Sequence, residues 1–188
     1  MDSLKKLFCI NNDGFINNVK QVHSPNQDSR PSKEEISLLV IHNISLPPNK
    51  FGNSYIEDFF SNSLDTEKDP YFKCIKDRKV SSHFLIKRSG ELVQFVSCHN
   101  RAWHAGKSSW NGKEKCNDFS IGIELEGSDT IQYEKKQYET LIKLIKSLYK
   151  KFSITAILGH NQIAPERKTD PGPLFDWNLI KSENFNEK

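Results

Sequence analysis

The feature that most constrains the fold is Ile36-Ser37-Leu38-Leu39-Val40-Ile41, a short, nearly unbroken apolar run rich in branched side chains that stops at His42. A strand with one wet face alternates apolar and polar residues. This run is apolar on both faces and reads as a strand buried on both sides, as in a largely parallel sheet covered by helices. A second such segment, Thr155 to Leu158, leads into Gly159-His160. Two histidines therefore stand at strand ends, and neighbouring strands would present both at one sheet edge, where α/β folds bind ligands.

The remaining punctuation fits one α/β domain with a mixed sheet flanked by helices. In Ser45-Leu46-Pro47-Pro48-Asn49-Lys50-Phe51-Gly52, two prolines lack backbone donors and a glycine permits a turn, so the chain must loop. A short helix is expected over Tyr55 to Phe60. His83 to Ile86 and Leu92 to Val96 bracket Lys87-Arg88-Ser89-Gly90-Glu91, the composition of a β-hairpin. Ser120 to Leu125 alternates, with Ile121, Ile123 and Leu125 on one face and Gly122 and Glu124 on the other. From Ile131 to Phe152 the apolar residues follow the three-four spacing of an amphipathic helix, and Lys135, Lys136, Lys143, Lys146, Lys150 and Lys151 crowd its other surface as a solvated face. Val22 to Glu35 is rich in Ser, Pro, Asn, Asp and Lys, so residues 1–35 are expected to be an irregular lead-in, 36–180 the functional domain and 181–188 a tail.

Composition excludes several classes. A chain of 188 residues with 36% hydrophobic side chains suits a single domain with a real core. The net charge of +3 is spread over 27 basic and 24 acidic residues, without the concentrated basic surface that nucleic acid needs. The apolar patch Leu7 to Ile10 is too brief for a secretory signal, and no stretch could span a bilayer, so a cytoplasmic protein with no membrane partner is expected. Cys9, Cys74, Cys98 and Cys116 are widely separated and form no Cys-x-x-Cys pair, which argues for free thiols, mostly in packing roles.

Ten positions beyond His160 stands Asp170, in Lys168-Thr169-Asp170-Pro171-Gly172-Pro173. A residue before proline favours extended backbone, which would point the side chains of Lys168 and Asp170 to the same side. His42, His160 and Asp170 together make a two-imidazole, one-carboxylate set that leaves the fourth tetrahedral position of Zn²⁺ open to water. Zinc can lower the pKa of such a water to about 7. A histidine at a strand end is more often a hydrogen-bonded structural residue, so on spacing alone both readings stand. His83, in a hairpin strand, and His99, beside Asn100, read as structural, and His23 in the polar lead-in as solvated.

Four segments carry a resemblance: Leu39 to Pro48, Arg101-Ala102-Trp103-His104-Ala105-Gly106, Asn117 to Gly127, and Ile163 to Pro173. In this order they resemble the type 2 N-acetylmuramoyl-L-alanine amidases, and within them the amidases that act on 1,6-anhydromuropeptides in cell-wall recycling; the likeness runs from about Val22 to Trp177. It implies the fold shared with peptidoglycan-recognition proteins, with residues 36–180 as a zinc amidase domain. It implies one zinc per chain on His42, His160 and Asp170, Glu124 as general base toward the attacking water, and Lys168 as the stabiliser of the oxyanion. Read without the family, Glu124 is rather a surface carboxylate on an edge strand, and the motif around it reverses that reading. The resemblance further implies substrate contacts from Asn43, Ala102, Trp103 and His104, whereas the residues alone also allow Trp103 as a core aromatic and His104 as a satisfied buried histidine. Lys79 and Lys115 stand where relatives carry arginines that grip the anionic stem peptide; lysine keeps the charge but not the bidentate fork.

The expected partner is thus a soluble anhydromuropeptide, met by a monomer. Two alternatives share the fold: an amidase that cuts intact wall, and a binding module without catalysis. Modules of the latter kind lack part of the metal set, whereas all three residues are present here.

Overall fold

In the computed structural model, which describes residues 7–31, 35–183 and 185, the strands are β1 (Lys20–Gln21), β2 (Gln27–Ser29), β3 (Leu38–Ile44), β4 (Phe84–Ile86), β5 (Leu92–Gln94), β6 (Asn100–Ala102), β7 (Ser109–Trp110), β8 (Lys113–Glu114), β9 (Ser120–Glu126) and β10 (Ala156–Gly159). The helices are α1 (Tyr55–Phe60), α2 (Pro70–Lys73), α3 (Lys135–Lys151), α4 (His160–Ile163) and α5 (Trp177–Lys181). Six strands form one sheet in the order β1-β5-β4-β9-β3-β10. β3 pairs in parallel with both β9 and β10, and the hairpin β4/β5 is antiparallel, so the sheet is mixed as expected. Pairs β2/β6 and β7/β8 stand apart as short antiparallel ribbons.

The doubly apolar run becomes β3 because both of its faces are covered. On one face Leu39 and Ile41, with Ile121, Ile123 and Leu125 of β9, meet Leu141, Leu144, Ile145 and Leu148 of α3. Each such side chain removed from water contributes about 1.5–3 kcal/mol, which makes this the principal seam of the domain. On the other face Leu38 and Val40 pack on Cys116, Phe119 and Ile163, while Leu85, Val93 and Phe95 carry Ile56, Phe60 and Phe72 of α1 and α2.

Helix α3 begins at Lys135 rather than at Ile131, because Ser128 and Ile131 form an isolated bridge and the Gln137 side chain accepts from the Glu134 amide at 3.0 Å at the first turn. Its lysines stay partly or fully exposed, as a solvated face should. The four cysteines are free, but only Cys98 and Cys116 are buried in packing roles; Cys9 and Cys74 are exposed. Among the described residues no helix is long and apolar enough to cross a membrane.

The segment before β3 departs from the irregular lead-in read from its composition. Ile16 is fully buried, and its amide donates to Gln94 Oε1 at 2.8 Å. β1 extends the main sheet beside β5, and β2 pairs with β6. Arg30 reaches under the end of β9, where its guanidinium donates to the carbonyls of Cys98, Asn117, Asp118 and Ser120 at 2.8–3.2 Å. Strand pairing uses backbone atoms that every residue type supplies, so polar composition conceals it. At the other end the expected boundary at 180 cuts through α5, Glu183 pairs with Lys146 at 2.5 Å, and Phe185 stacks on Tyr149. The first six residues and the last three lie outside the described part.

Candidate active site

Strand register sets out the site. β3 and β9 run in parallel with His42 opposite Glu124, Val40 opposite Gly122 and Leu38 opposite Ser120. Register partners on neighbouring strands point to the same side, so Glu124 and His42 stand side by side on one sheet face. β10 pairs Gly159 with Ile41, which brings His160 beside His42 at the carboxyl edge. Glu124 therefore sits on a central strand and is only 8% exposed, not on a wet edge.

Asp170 arrives on the loop that follows α4. Its carbonyl accepts from Asn161 N at 2.9 Å, and the next carbonyl, of Pro171, accepts from Tyr133 Oη at 2.6 Å and Asn43 Nδ2 at 3.1 Å. Held there, Asp170 Oδ2 lies 3.0 Å from both His42 Nδ1 and His160 Nδ1, which are 2.9 Å from each other. His160 Nε2 has the carbonyl of Ala105 at 3.1 Å and the Arg167 guanidinium at 3.3 Å; donating to the nearer carbonyl, which can only accept, it leaves Nδ1 its lone pair.

His42 Nε2 lies 2.9 Å from His104 Nδ1, and His104 Nε2 lies 3.2 Å from Ser120 Oγ. Ser120 Oγ in turn donates to the Cys116 carbonyl at 2.5 Å. Since that carbonyl can only accept, the donors order backward along the chain and His42 also presents an Nδ1 lone pair. Three lone pairs thus converge with no hydrogen among them, and their spacing is a few tenths of an ångström below the roughly 3.3 Å edge of a tetrahedral site with bonds of about 2.0–2.1 Å. The donor set fits a divalent metal ion, and His42, His160 and Asp170 could hold it.

The electrostatics follow burial. Burial lowers the His42 pKa to about 4, against the pull of the Asp170 carboxylate beside it, so the imidazole is neutral at pH 7. Burial raises Asp170, but the two imidazole nitrogens 3.0 Å away favour its charged form more strongly and leave it below the carboxylate range. Burial, and then the charge of Asp170, pushes Glu124 well above its ordinary value, while Lys168 pulls it down. Glu124 Oε2 is buried without a hydrogen-bond partner. Lys168 makes no side-chain hydrogen bond or ion pair among the described residues. All five side chains line one cavity of about 610 Å³.

The residues expected to touch substrate are scattered. Asn43 lines the cavity, but its amide nitrogen already donates to Asp129 Oδ1 and Pro171 O. His104 lines it at 9% exposure with both nitrogens engaged. Ala102 is fully buried in β6 against the α1 and α2 cluster, and Trp103 is off the cavity wall, its backbone exchanging hydrogen bonds with Ser81. Lys79 is exposed and also off the wall; its neighbour Arg78 stands on it. Lys115 lines an adjoining depression of about 750 Å³, separated from the first by Arg167, which borders both. His83 is structural as expected: Nδ1 accepts from Gly122 N at 3.0 Å and Nε2 meets Asn100 O at 3.1 Å. Sequence reasoning missed Arg78, Tyr133 and the supporting Ser120. The last had a signal, since Ser120, Gly122 and Glu124 share one face at the two-residue period of a strand.

The model of the Amidase_2 family, N-acetylmuramoyl-L-alanine amidase, matches residues 32–173, and the chain belongs to that family of enzymes. Within it, the chain is 51% identical over 167 residues to the 1,6-anhydro-N-acetylmuramyl-L-alanine amidase AmpD of Citrobacter freundii, which covers 88% of this chain and 89% of that one. A crystal structure of a selenomethionine AmpD derivative superposes with a TM-score of 0.89 at 48% identity, over 93% of this chain and 98% of that one. The fold is shared with Drosophila PGRP-LB, with a TM-score of 0.60 at 19% identity over 88% and 92% of the two chains.

Proposed function

We propose that this enzyme hydrolyses the amide between N-acetylmuramic acid, in its 1,6-anhydro form, and the L-alanine of soluble muropeptides, with one zinc ion held by His42, His160 and Asp170. The observation that carries the reading is the convergence of three lone pairs within 3.0 Å beside a buried, unpartnered carboxylate. The 51% identity to an AmpD that bears this activity in its name supports the substrate class.

When bound, zinc supplies a Lewis acid that makes water nucleophilic at neutral pH and polarises the carbonyl oxygen. The residues of the chain do the rest. Glu124 takes a proton from the attacking water and delivers it to the alanine nitrogen as the C–N bond breaks, leaving a lactyl carboxylate and a free peptide amine. Lys168, with no partner of its own among the described residues, offers positive charge to the developing oxyanion. Neutral His42 leaves its lone pair for the metal.

The reading extends to a monomer acting on wall fragments in the cytoplasm. Mass spectrometry of an anhydromuropeptide, incubated with protein of measured zinc content, tests bond, substrate and metal together. Release of stem peptide that stops on chelation and returns with Zn²⁺ is expected. Binding of the intact fragment without cleavage by fully zinc-loaded protein would overturn the hydrolase reading in favour of a recognition module.

A further inference from the structure

We infer that His104 is a positioning residue, fixing the tautomer and ring orientation of His42 rather than touching substrate. The inference rests on the zinc reading for one of its two readouts only. His104 sits on the cavity wall but is 9% exposed, and both of its ring nitrogens have partners inside the protein: His42 Nε2 at 2.9 Å and Ser120 Oγ at 3.2 Å. The rings of His42 and His104 meet edge to face, 84° apart with centroids 5.0 Å apart, which aims one nitrogen of each at the other.

Direction enters from the far end of the chain of bonds. The Cys116 carbonyl can only accept, so the Ser120 hydroxyl donates to it at 2.5 Å and offers a lone pair to His104 Nε2–H. His104 Nδ1 is then the acceptor, and His42 must carry its proton on Nε2. A serine four residues from the main chain carbonyl it caps thereby decides which nitrogen of His42 faces His160 and Asp170.

Strand β9 is built for this ring. Ser120, Gly122 and Glu124 lie on one face, and the ring packs over Gly122 so closely that a Cβ there would lie 2.5 Å from His104 Cγ. Asn117 Oδ1 accepts from the amides of His104 and Ala105, at 3.2 and 2.7 Å, and holds the backbone in place. A substrate contact would need a free polar atom, and this side chain has none.

The experiment compares imidazole ¹⁵N spectra of metal-free protein at one neutral pH, and zinc affinity by chelator competition, in wild type, His104→Phe, His104→Gln and Ser120→Ala. Wild type should show His42 as the Nε2–H tautomer. His104→Phe, which removes the acceptor, should lose that single tautomer and bind zinc roughly ten- to a hundredfold more weakly, with His104→Gln recovering most of the loss because its carbonyl accepts. Ser120→Ala, the smaller change should the phenylalanine variant not fold, should show mixed tautomers at His104 and His42. An unchanged His42 tautomer and zinc affinity in Ser120→Ala and in either folded His104 variant would overturn the inference, as would a KM increase at unchanged zinc affinity. If wild type bound no zinc, the metal reading would fail while the tautomer comparison still decided the role of His104.

Discussion

Replacing Gly122 by alanine adds one methyl group where β9 has no room for it. The new Cβ would lie 2.5 Å from Cγ, 2.7 Å from Nδ1 and 2.8 Å from Cδ2 of His104, against ordinary contacts of about 3.5–4.0 Å between carbon atoms. Those atoms are the root of a buried ring, not the tip of a flexible chain, so relief requires the ring to withdraw by about 1 Å. Such a shift lengthens both the 2.9 Å contact to His42 and the 3.2 Å contact to Ser120 beyond hydrogen-bonding range. Overpacking of this kind costs about 1–3 kcal/mol. For a chain of this length each kcal/mol is worth about 2–4 °C in melting temperature, so a fall of roughly 5 °C is expected. Zinc affinity should fall with it, although Gly122 touches neither the cavity nor any metal ligand. Differential scanning calorimetry and chelator competition on one preparation measure both effects. A Gly122→Ala protein with wild-type melting temperature and zinc affinity would refute the packing argument outright.

Glu124→Gln should retain zinc and fold but lose about 10²–10⁴ in kcat, and Lys168→Ala about a hundredfold or more, both read by single-turnover assays on zinc-replete protein. Arg78→Ala should raise KM for a charged stem peptide more than Lys79→Ala does, because only Arg78 stands on the cavity wall; equal effects would remove Arg78 from recognition. Burial, and then the charge of Arg30, lowers His83 to about 3 from an ordinary 6.5. A histidine kept neutral in the folded state contributes stability that is complete above pH 6.5 and is lost as pH falls toward 3, with a slope of at most about 1.4 kcal/mol per pH unit. Imidazole ¹⁵N shifts should accordingly show His83 still neutral at pH 5, and a midpoint near 6.5 would contradict its burial.

The parts of the fold legible in the sequence were those whose side chains advertise their surroundings. Leu38 to Ile41 read as a covered strand and Ala156 to Leu158 as a second strand, which lies half-buried at the sheet edge, and the three-four spacing of Leu141, Ile145 and Leu148 read as a helix packed on one side. That placed His160 directly after β10 and His42 toward the carboxyl end of β3, which runs on to Ile44, yet not which strands were neighbours. The opposition of His42 to Glu124 is a matter of long-range register, which alternation in β9 alone could not reveal. Direction of pointing was equally hidden: Arg78 and Lys79 are adjacent and alike in charge, and only the turn after α2 decides which of them faces the cavity. His104 illustrates the limit most clearly. Its motif marked it as part of the site, while its task depended on a serine and a glycine whose side of the strand was readable but whose partner was not.

The guanidinium of Arg30, plugged into four main-chain carbonyls around the start of β9, has a practical consequence for anyone trimming this chain. A fragment beginning at residue 32, where the family match starts, would leave those oxygens facing protein with nothing to receive, and each stranded acceptor costs about 1–3 kcal/mol. Such a fragment would keep every metal-binding and catalytic side chain and still be expected to come out of the cell as aggregate.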